Sequence, residues 1–275
     1  MPTTFSEPSA TATATATAIA ADGIWKRYGH VQALRGASLT VEPGSVVALV
    51  GDNGAGKSTL LKTMCGAVTP DAGRVVVDGE TPAEGINIDP IRYGIGVVYQ
   101  DLALAPDLSV WENIFLGHEV VRAGWRGSVG ILNRSVMAAE ADGALRELGI
   151  DLTTVGVPVS LLSGGQRQAV AIARAVKWGR NVLLLDEPTA ALGTRQTGIV
   201  RRLVRAVAAK GIGVLMISHD IPGVISIADR VVVMRQGAVV DEFDAKTVTL
   251  PEIVGAMLGE IDPARRLEAD EEPGL

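Results

Sequence analysis

Residues 51–59 read GDNGAGKST, and that string limits the fold more than any other in the chain. It follows a short β-branched run at 45–50, which is a buried strand by composition and length. It opens a helical pattern over 57–65. Strand, glycine-rich turn and helix, in that order, form the setting in which backbone N–H groups wrap phosphate oxygens. The helix N-terminus adds positive potential at the same spot. Gly51, Asn53, Gly54, Ala55, Gly56 and Thr59 are expected to line this cradle. Lys57 is expected to reach the β- and γ-phosphates, and Ser58 to coordinate magnesium.

A second string extends the chemistry. Residues 182–187 read VLLLDE, a buried strand that delivers Asp186 and Glu187 at its carboxyl end. Open α/β sheets bind their ligands at that end. Asp186 is expected to hold magnesium through water, and Glu187 to polarise the attacking water. Together the two strings predict hydrolysis of a nucleoside triphosphate and nothing narrower.

The rest of the chain supplies a frame. Strands are expected at 75–77, 96–99 and 214–218, with a closing hairpin of 230–234 and 238–241 across Gln236-Gly237. Helices are expected at 111–116, 134–148, 165–178 and 194–209, with Asn133 and Ser163 as caps of the second and third. The alternation predicts an α/β core carrying an inserted helical lobe at 109–178. Residues 1–21 read as a disordered Ala/Thr-rich leader, with structure starting near Ile24. One domain is expected over 22–260, followed by an acidic flexible tail at 261–275. The stretch TATATATAIAA at 11–21 lacks the basic flank of a signal peptide. No run of about 18 apolar residues is present, so direct membrane insertion is not expected. Cys65 is the single cysteine, which excludes a disulfide within the chain and makes the cytoplasm the default compartment. The net charge of -6 disfavours nucleic acid as a partner.

Residues 162–166 read LSGGQ, followed by RQAVAIARA, and Gln166 lies 20 residues before Asp186. This resembles the signature motif of the ABC ATPases, and the resemblance spans about residues 22–258. It implies a P-loop NTPase (RecA-like) core with an N-terminal antiparallel β portion and an inserted α-helical signature subdomain. It implies ATP and Mg2+ as the bound groups. Tyr28, in KRYG, is similar to the aromatic residue that stacks on adenine. Gln100, in VVYQD, is similar to the loop glutamine that touches magnesium and relays motion of the membrane partner. The resemblance places Ser163, Gly164 and Gly165 against the γ-phosphate held by a second subunit. His219, in MISHD, is similar to the switch histidine that reaches the γ-phosphate and orients Glu187. Many members carry an aspartate where this chain has Gly193, and that residue couples the two ATP sites. Coupling here would run through backbone contacts instead.

Three fragments narrow the likeness. SVWENIFLGHE (109–119), DEPTAALGTRQTG (186–198) and ISHDIPGV (217–224) resemble the ATPases of bacterial importers of simple sugars such as ribose, xylose or fructose. Gly193 is itself a feature of that subgroup. The expectation is Mg-dependent ATP hydrolysis by a dimeric subunit that powers import of a simple sugar. Its partners would be transmembrane permease subunits and an extracytoplasmic solute-binding protein, at the cytoplasmic face of a bacterial inner membrane. One phosphate motif and one signature imply a single-domain version that pairs with a second copy, or with a similar chain. Another small solute, such as branched-chain amino acids, is the alternative cargo. The absence of a long regulatory domain after residue 260 disfavours the maltose-type importers. A soluble ABC ATPase outside transport would carry a long coiled coil or zinc insert between the phosphate motifs, and a ribosome-associated factor would need two ATPase domains in tandem. The helical lobe near Gln100 and residues 109–130 would be the docking surface. Trp111, Phe115 and Trp125 fit either a contact with that partner or the core, and His30 and His118 fit structural or surface positions.

Overall fold

The computed structural model describes residues 17–82, 88–124, 130–190 and 192–260. Three strands are buried at every position: β3 (Val46–Val50), β6 (Val182–Asp186) and β7 (Gly213–Ile217). Continuous apolar strands of this kind belong to a parallel sheet covered on both faces. They sit in a six-stranded sheet of order β5-β6-β7-β3-β8-β9, with β5 at Ile95–Val98, β8 at Arg230–Arg235 and β9 at Ala238–Asp244. Only β9 runs antiparallel, and it returns across Gln236 (φ 48°) and Gly237 (φ 85°). Two successive positive φ values match the twist of a two-residue hairpin.

The period of two along these strands divides the core. Val46, Ala48, Leu183, Leu185, Val214 and Met216 face the helical side. Val47, Leu49, Val182, Leu184, Leu215 and Ile217 face the other side. There they meet helix α1 (Lys57–Met64) and a three-stranded antiparallel sheet of order β2-β1-β4. Its strands are β1 (Ile19–Tyr28), β2 (Val31–Val41) and β4 (Ala72–Val77). Strand β1 starts at Ile19, ahead of the expected Ile24 and inside the expected leader; residues 1–16 lie outside the described residues. The reason is long-range pairing. Ile19 lies opposite Val41 on one side and Val77 on the other, and is fully buried.

The helical side carries α2 (Val110–Phe115), α3 (Arg134–Glu147), α4 (Gly164–Trp178) and α5 (Thr194–Ala208). The molecule is thus a RecA-like P-loop core with an N-terminal antiparallel sheet and an inserted helical subdomain. Ser163 caps α4 through a capping box, accepting from the Gln166 N–H while its own N–H donates to Gln166 Oε1. Asn133 occupies the cap position of α3, but its side chain accepts from the Ser135 hydroxyl and caps nothing. Phe115 is core: it is 1% exposed and meets Trp178 edge-on at 5.6 Å. Trp111 packs against the same core while remaining partly exposed, and His118 stacks on Trp178 at 3.9 Å. Trp125 lies outside the described residues.

The helical subdomain meets the sheet edge without side chains between them. A Cβ on Gly179, just past α4, would lie 2.1 Å from the Gly96 nitrogen of β5, and one on Gly96 would lie 2.5 Å from the Ala175 carbonyl oxygen. Two helices were not anticipated, though their signals are present. Helix α6 (Ile221–Ile225) is capped by Asp220, with Pro222 in its first turn. Helix α7 (Leu250–Leu258) has Pro251 in its first turn, ends at left-handed Gly259, and has Glu252 accepting from the Thr249 N–H and hydroxyl. Among the described residues no helix is long and apolar enough to cross a membrane.

Candidate active site

The carboxyl ends of three adjacent strands create the site. In register, Leu49 of β3 and Asp186 of β6 both lie opposite Ile217 of β7. The residues that follow each strand therefore emerge at one level: Gly51, Glu187 and His219. Strand β5 joins the row, with Val98 opposite Leu185, so Gln100 leaves at the same end, exposed.

The loop from Gly51 to Gly56 is shaped by backbone that only glycine supplies cheaply. Gly51 (φ 150°) lies so close to the Met234 carbonyl that a Cβ would sit 2.2 Å from its oxygen, and Gly56 (φ 103°) passes the Ala33 carbonyl, 2.7 Å from where its Cβ would be. The β8–β9 turn braces the loop from behind: the Gly237 N–H donates to the Ala55 carbonyl at 2.9 Å, and the Arg35 N–H to the Gly237 carbonyl at 2.8 Å. Asn53 and Gly54 are exposed, Ala55 is buried, and Thr59 is half-buried on α1. Lys57 opens α1 and is 6% exposed. Its Nζ donates to the Gly51 and Asp52 carbonyls at 2.7 and 2.9 Å. Burial pushes the ammonium below its ordinary range, against the pull of Glu187, Asp52 and Asp186.

Across the cradle, Ser58 Oγ donates to Asp186 Oδ1 at 3.3 Å. These are hard oxygen donors. Among the described residues no group of three His, Cys, Asp or Glu side chains could cage a metal. That donor set suits magnesium, which takes one or two protein oxygens together with substrate phosphates. Burial raises the Asp186 pKa, the Ser58 hydrogen bond opposes that shift, and Glu187 adds to it.

Asp186 carries a stability cost that pH should reveal. Its folded-state pKa lies above the unfolded one, so between those values the folded chain binds more protons and loses stability as pH rises. The loss is complete above the folded-state value. Asp186→Asn is expected to melt at a higher temperature than the parent at neutral pH, in chelator and without nucleotide. The gap should close once the pH falls below the ordinary carboxylate range. Thermal unfolding at both pH values tests this; a variant that melts lower at neutral pH contradicts it.

Glu187 stands in the left-handed region at φ 51°, an uncommon place for a side chain with a Cβ. Its N–H donates to the Ile217 carbonyl and its carbonyl accepts from the Ala190 N–H, both at 3.1 Å. This turn brings Glu187 Oε1 within 2.7 Å of His219 Nε2. His219 is followed by Asp220, whose carboxylate accepts from Arg201 of α5 and caps α6. The sequence reading missed that clamp, although Asp220 ahead of Ile221-Pro222-Gly223 is a legible helix start.

The structure gathers Lys57, Ser58, Asp186, Glu187 and His219. Tyr28 stands apart from them in sequence, 48% exposed at the end of β1. The signature residues form a separate feature: Ser163 is exposed at the start of α4. Gly164 and Gly165 are packed on the start of α5, where added Cβ atoms would lie 3.1 Å from Leu192 Cδ2 and from Gln196 Cβ and Cγ. Gly193 offers no side chain to cap α5, and its N–H donates to Gln196 Oε1 at 3.3 Å.

Comparison with known proteins agrees with this architecture. A family model described as ABC transporter matches residues 34–190. The fructose import ATP-binding protein FrcA of Rhizobium meliloti is 40% identical over 249 residues, covering 90% of this chain and 96% of that protein. The xylose/arabinose import ATP-binding protein XylG of Sulfolobus acidocaldarius is 41% identical over 234 residues, covering 85% and 91%. Among solved structures, an ATP-binding cassette in a dimeric post-hydrolysis state with ADP and phosphate superposes with a TM-score of 0.69 at 25% identity, over 84% of this chain and 100% of that one.

Proposed function

Because the chain belongs to the ABC transporter family as an ATP-binding, ATP-hydrolysing subunit, we propose that it works as a dimer, with Mg2+, to drive uptake of a simple sugar through a membrane permease. The observation that carries this reading is an exposed signature serine in a chain that already holds its phosphate and base residues in one cluster. Lys57, Ser58, Asp186, Glu187 and His219 form one cluster, while Ser163, exposed at the start of α4, bonds to Gln166 of its own helix. A second subunit would bring its Ser163 to the phosphates held by the first.

In this mechanism the loop amides and Lys57 hold the triphosphate, Lys57 exchanging its two carbonyl partners for phosphate oxygens. Tyr28 stacks on the base. Magnesium, when bound at Ser58 and Asp186 with Gln100 near, supplies charge neutralisation to the β- and γ-phosphates. Glu187 accepts a proton from the attacking water, and His219 holds Glu187 in place and reaches the γ-phosphate. The partner's signature helix aims its N-terminal N–H groups at the charge that develops there. Closure of the pair around two ATP molecules is the work step, since ATP favours whichever state binds it more tightly.

Sugar uptake rests on likeness to relatives that import fructose and xylose or arabinose. Near-equal identity to both is consistent with a cargo chosen by the membrane and extracytoplasmic partners. Gln100, Leu102, Leu104, Pro106 and Arg167 line a groove beside the helical subdomain where the permease would dock, and on this reading the chain would sit peripherally at the cytoplasmic face of a bacterial inner membrane. Affinity capture of the tagged chain from native membranes is expected to co-purify a multi-span permease and a sugar-binding protein. Recovery of an amino-acid-binding protein would replace the sugar reading, and recovery of soluble partners alone would end the transport reading.

A further inference from the structure

We propose that Asp71 is a positioning residue for the adenine base, acting through the strand end that carries Tyr28. The inference rests on the reading of Tyr28 as the base-stacking residue. Strand β1 is poorly braced where it matters. Its pairing with β2 shifts register between Ala21 and Ile24, between Ile24 and Trp25, and again between Lys26 and Arg27. Its pairing with β4 stops at Trp25 opposite Ala72. Lys26, Arg27 and Tyr28 therefore extend beyond one of their two neighbours.

Asp71, the residue just before β4, takes over on that side. Its N–H donates to the Trp25 carbonyl at 2.8 Å. One carboxylate oxygen accepts from the Arg27 N–H at 2.7 Å, and the other from Lys26 Nζ at 2.8 Å. Asp71 thus grips the segment on both sides of Lys26, as another strand residue would, and fixes the Lys26–Arg27 peptide, one peptide ahead of the bond to Tyr28. It also fixes Lys26, whose Nζ lies 5.7 Å from the centroid of the Tyr28 ring. The side chain of Lys26 is 16% exposed, so its stem is packed while its ammonium is held by Asp71. These hydrogen bonds keep the Asp71 carboxyl below its ordinary range. A tyrosine ring that is half exposed on a strand end has few contacts of its own to set its plane. The clamp sets it before the nucleotide arrives, and a preorganised platform loses less on binding.

A role confined to the base predicts a selective defect. Dissociation constants of the full-length chain for ATP and for inorganic tripolyphosphate, which has no base, separate the cases. Asp71→Ala is expected to weaken ATP about 5-fold, the scale of one ordinary hydrogen bond, and to leave tripolyphosphate unchanged. The turnover number at saturating ATP should also stay within about 2-fold, since the phosphate cradle is untouched. Lys26→Met keeps the bond to the Arg27 amide and is expected to give a smaller loss of the same kind; it serves if Asp71→Ala does not fold. Tyr28→Ala is the reference and is expected to weaken ATP about 10-fold. If Tyr28→Ala weakens ATP and both clamp variants bind it normally, Asp71 has no positioning role. If Tyr28→Ala binds ATP normally, the stacking reading itself is wrong. Parallel weakening of ATP and tripolyphosphate in Asp71→Ala would make its role structural and overturn the proposal.

Discussion

Replacing Glu187 by glutamine is expected to lower ATP turnover by about 10²–10³-fold while ATP still binds. The substitution removes a charge and little else. Glutamine occupies the same volume, and its amide can still meet His219 Nε2, which lies 2.7 Å from the present carboxylate. The left-handed backbone at φ 51° costs both residues alike. What disappears is the capacity to take a proton from water. Because Lys57, Ser58 and the loop amides are unaltered, ATP should still bring two subunits together, and the pair should now persist. Size-exclusion chromatography with ATP and magnesium would show a dimer for the variant, beside a release assay showing lost phosphate production. Turnover within about 3-fold of the parent would remove Glu187 from the role of base. Lost turnover without a persistent dimer would keep the base and count against closure by ATP.

The second large effect is on stability. Gly179→Ala should cost about 3 kcal/mol and lower Tm by about 6–12 °C. The backbone at Gly179, φ -99° and ψ 109°, suits alanine, so conformational strain is not the cause. The cause is contact: the new methyl would lie 2.1 Å from the Gly96 nitrogen, 2.4 Å from its Cα and 2.8 Å from the Ala175 carbonyl oxygen. All three are backbone atoms that cannot rotate aside. Gly143 is the control, since it lies inside α3 with nothing within 4 Å of an added Cβ. Gly143→Ala should stabilise by about 0.5–1 kcal/mol through helix propensity alone. Equal Tm changes in the two variants would show that the helical subdomain and the sheet edge are not in tight register.

The parts of this molecule that were legible in its sequence are those specified locally. Strands β3, β6 and β7 are short apolar runs with turns on each side, and burial on both faces demands that composition. The phosphate loop and the Asp186-Glu187 pair lie at the ends of such strands, so their meeting at the carboxyl end of one sheet could be anticipated. Strand β1 could not be placed as well. Ala18 and Ala21 resemble the low-complexity residues before them, and only pairing with β2 and β4 makes them core. Asp71 was passed over for the same reason, because its partners lie more than 40 residues away. Phe115 was ambiguous between core and surface until Trp178 was seen against it. Helix α7 is different: Pro251, Glu252 and Gly259 are local signals of its start and its end.

The glycines after Ser163 rest on Leu192 and Gln196, and both of these follow Glu187 along the chain. In the proposed pair, Glu187 serves the ATP of its own subunit and Ser163 serves the ATP of the other. The same few residues are then a floor for one nucleotide and a hinge-post for its twin. In such a pair, a shift of Leu192 or Gln196 caused by one nucleotide would be felt at the glycines that face the other. Gly193 brings no carboxylate to this link, so any coupling through it would be carried by van der Waals contact rather than by charge. A transporter wired in this way would keep its two halves in step in brackish and in dilute surroundings alike, because salt screens charges and leaves contact untouched.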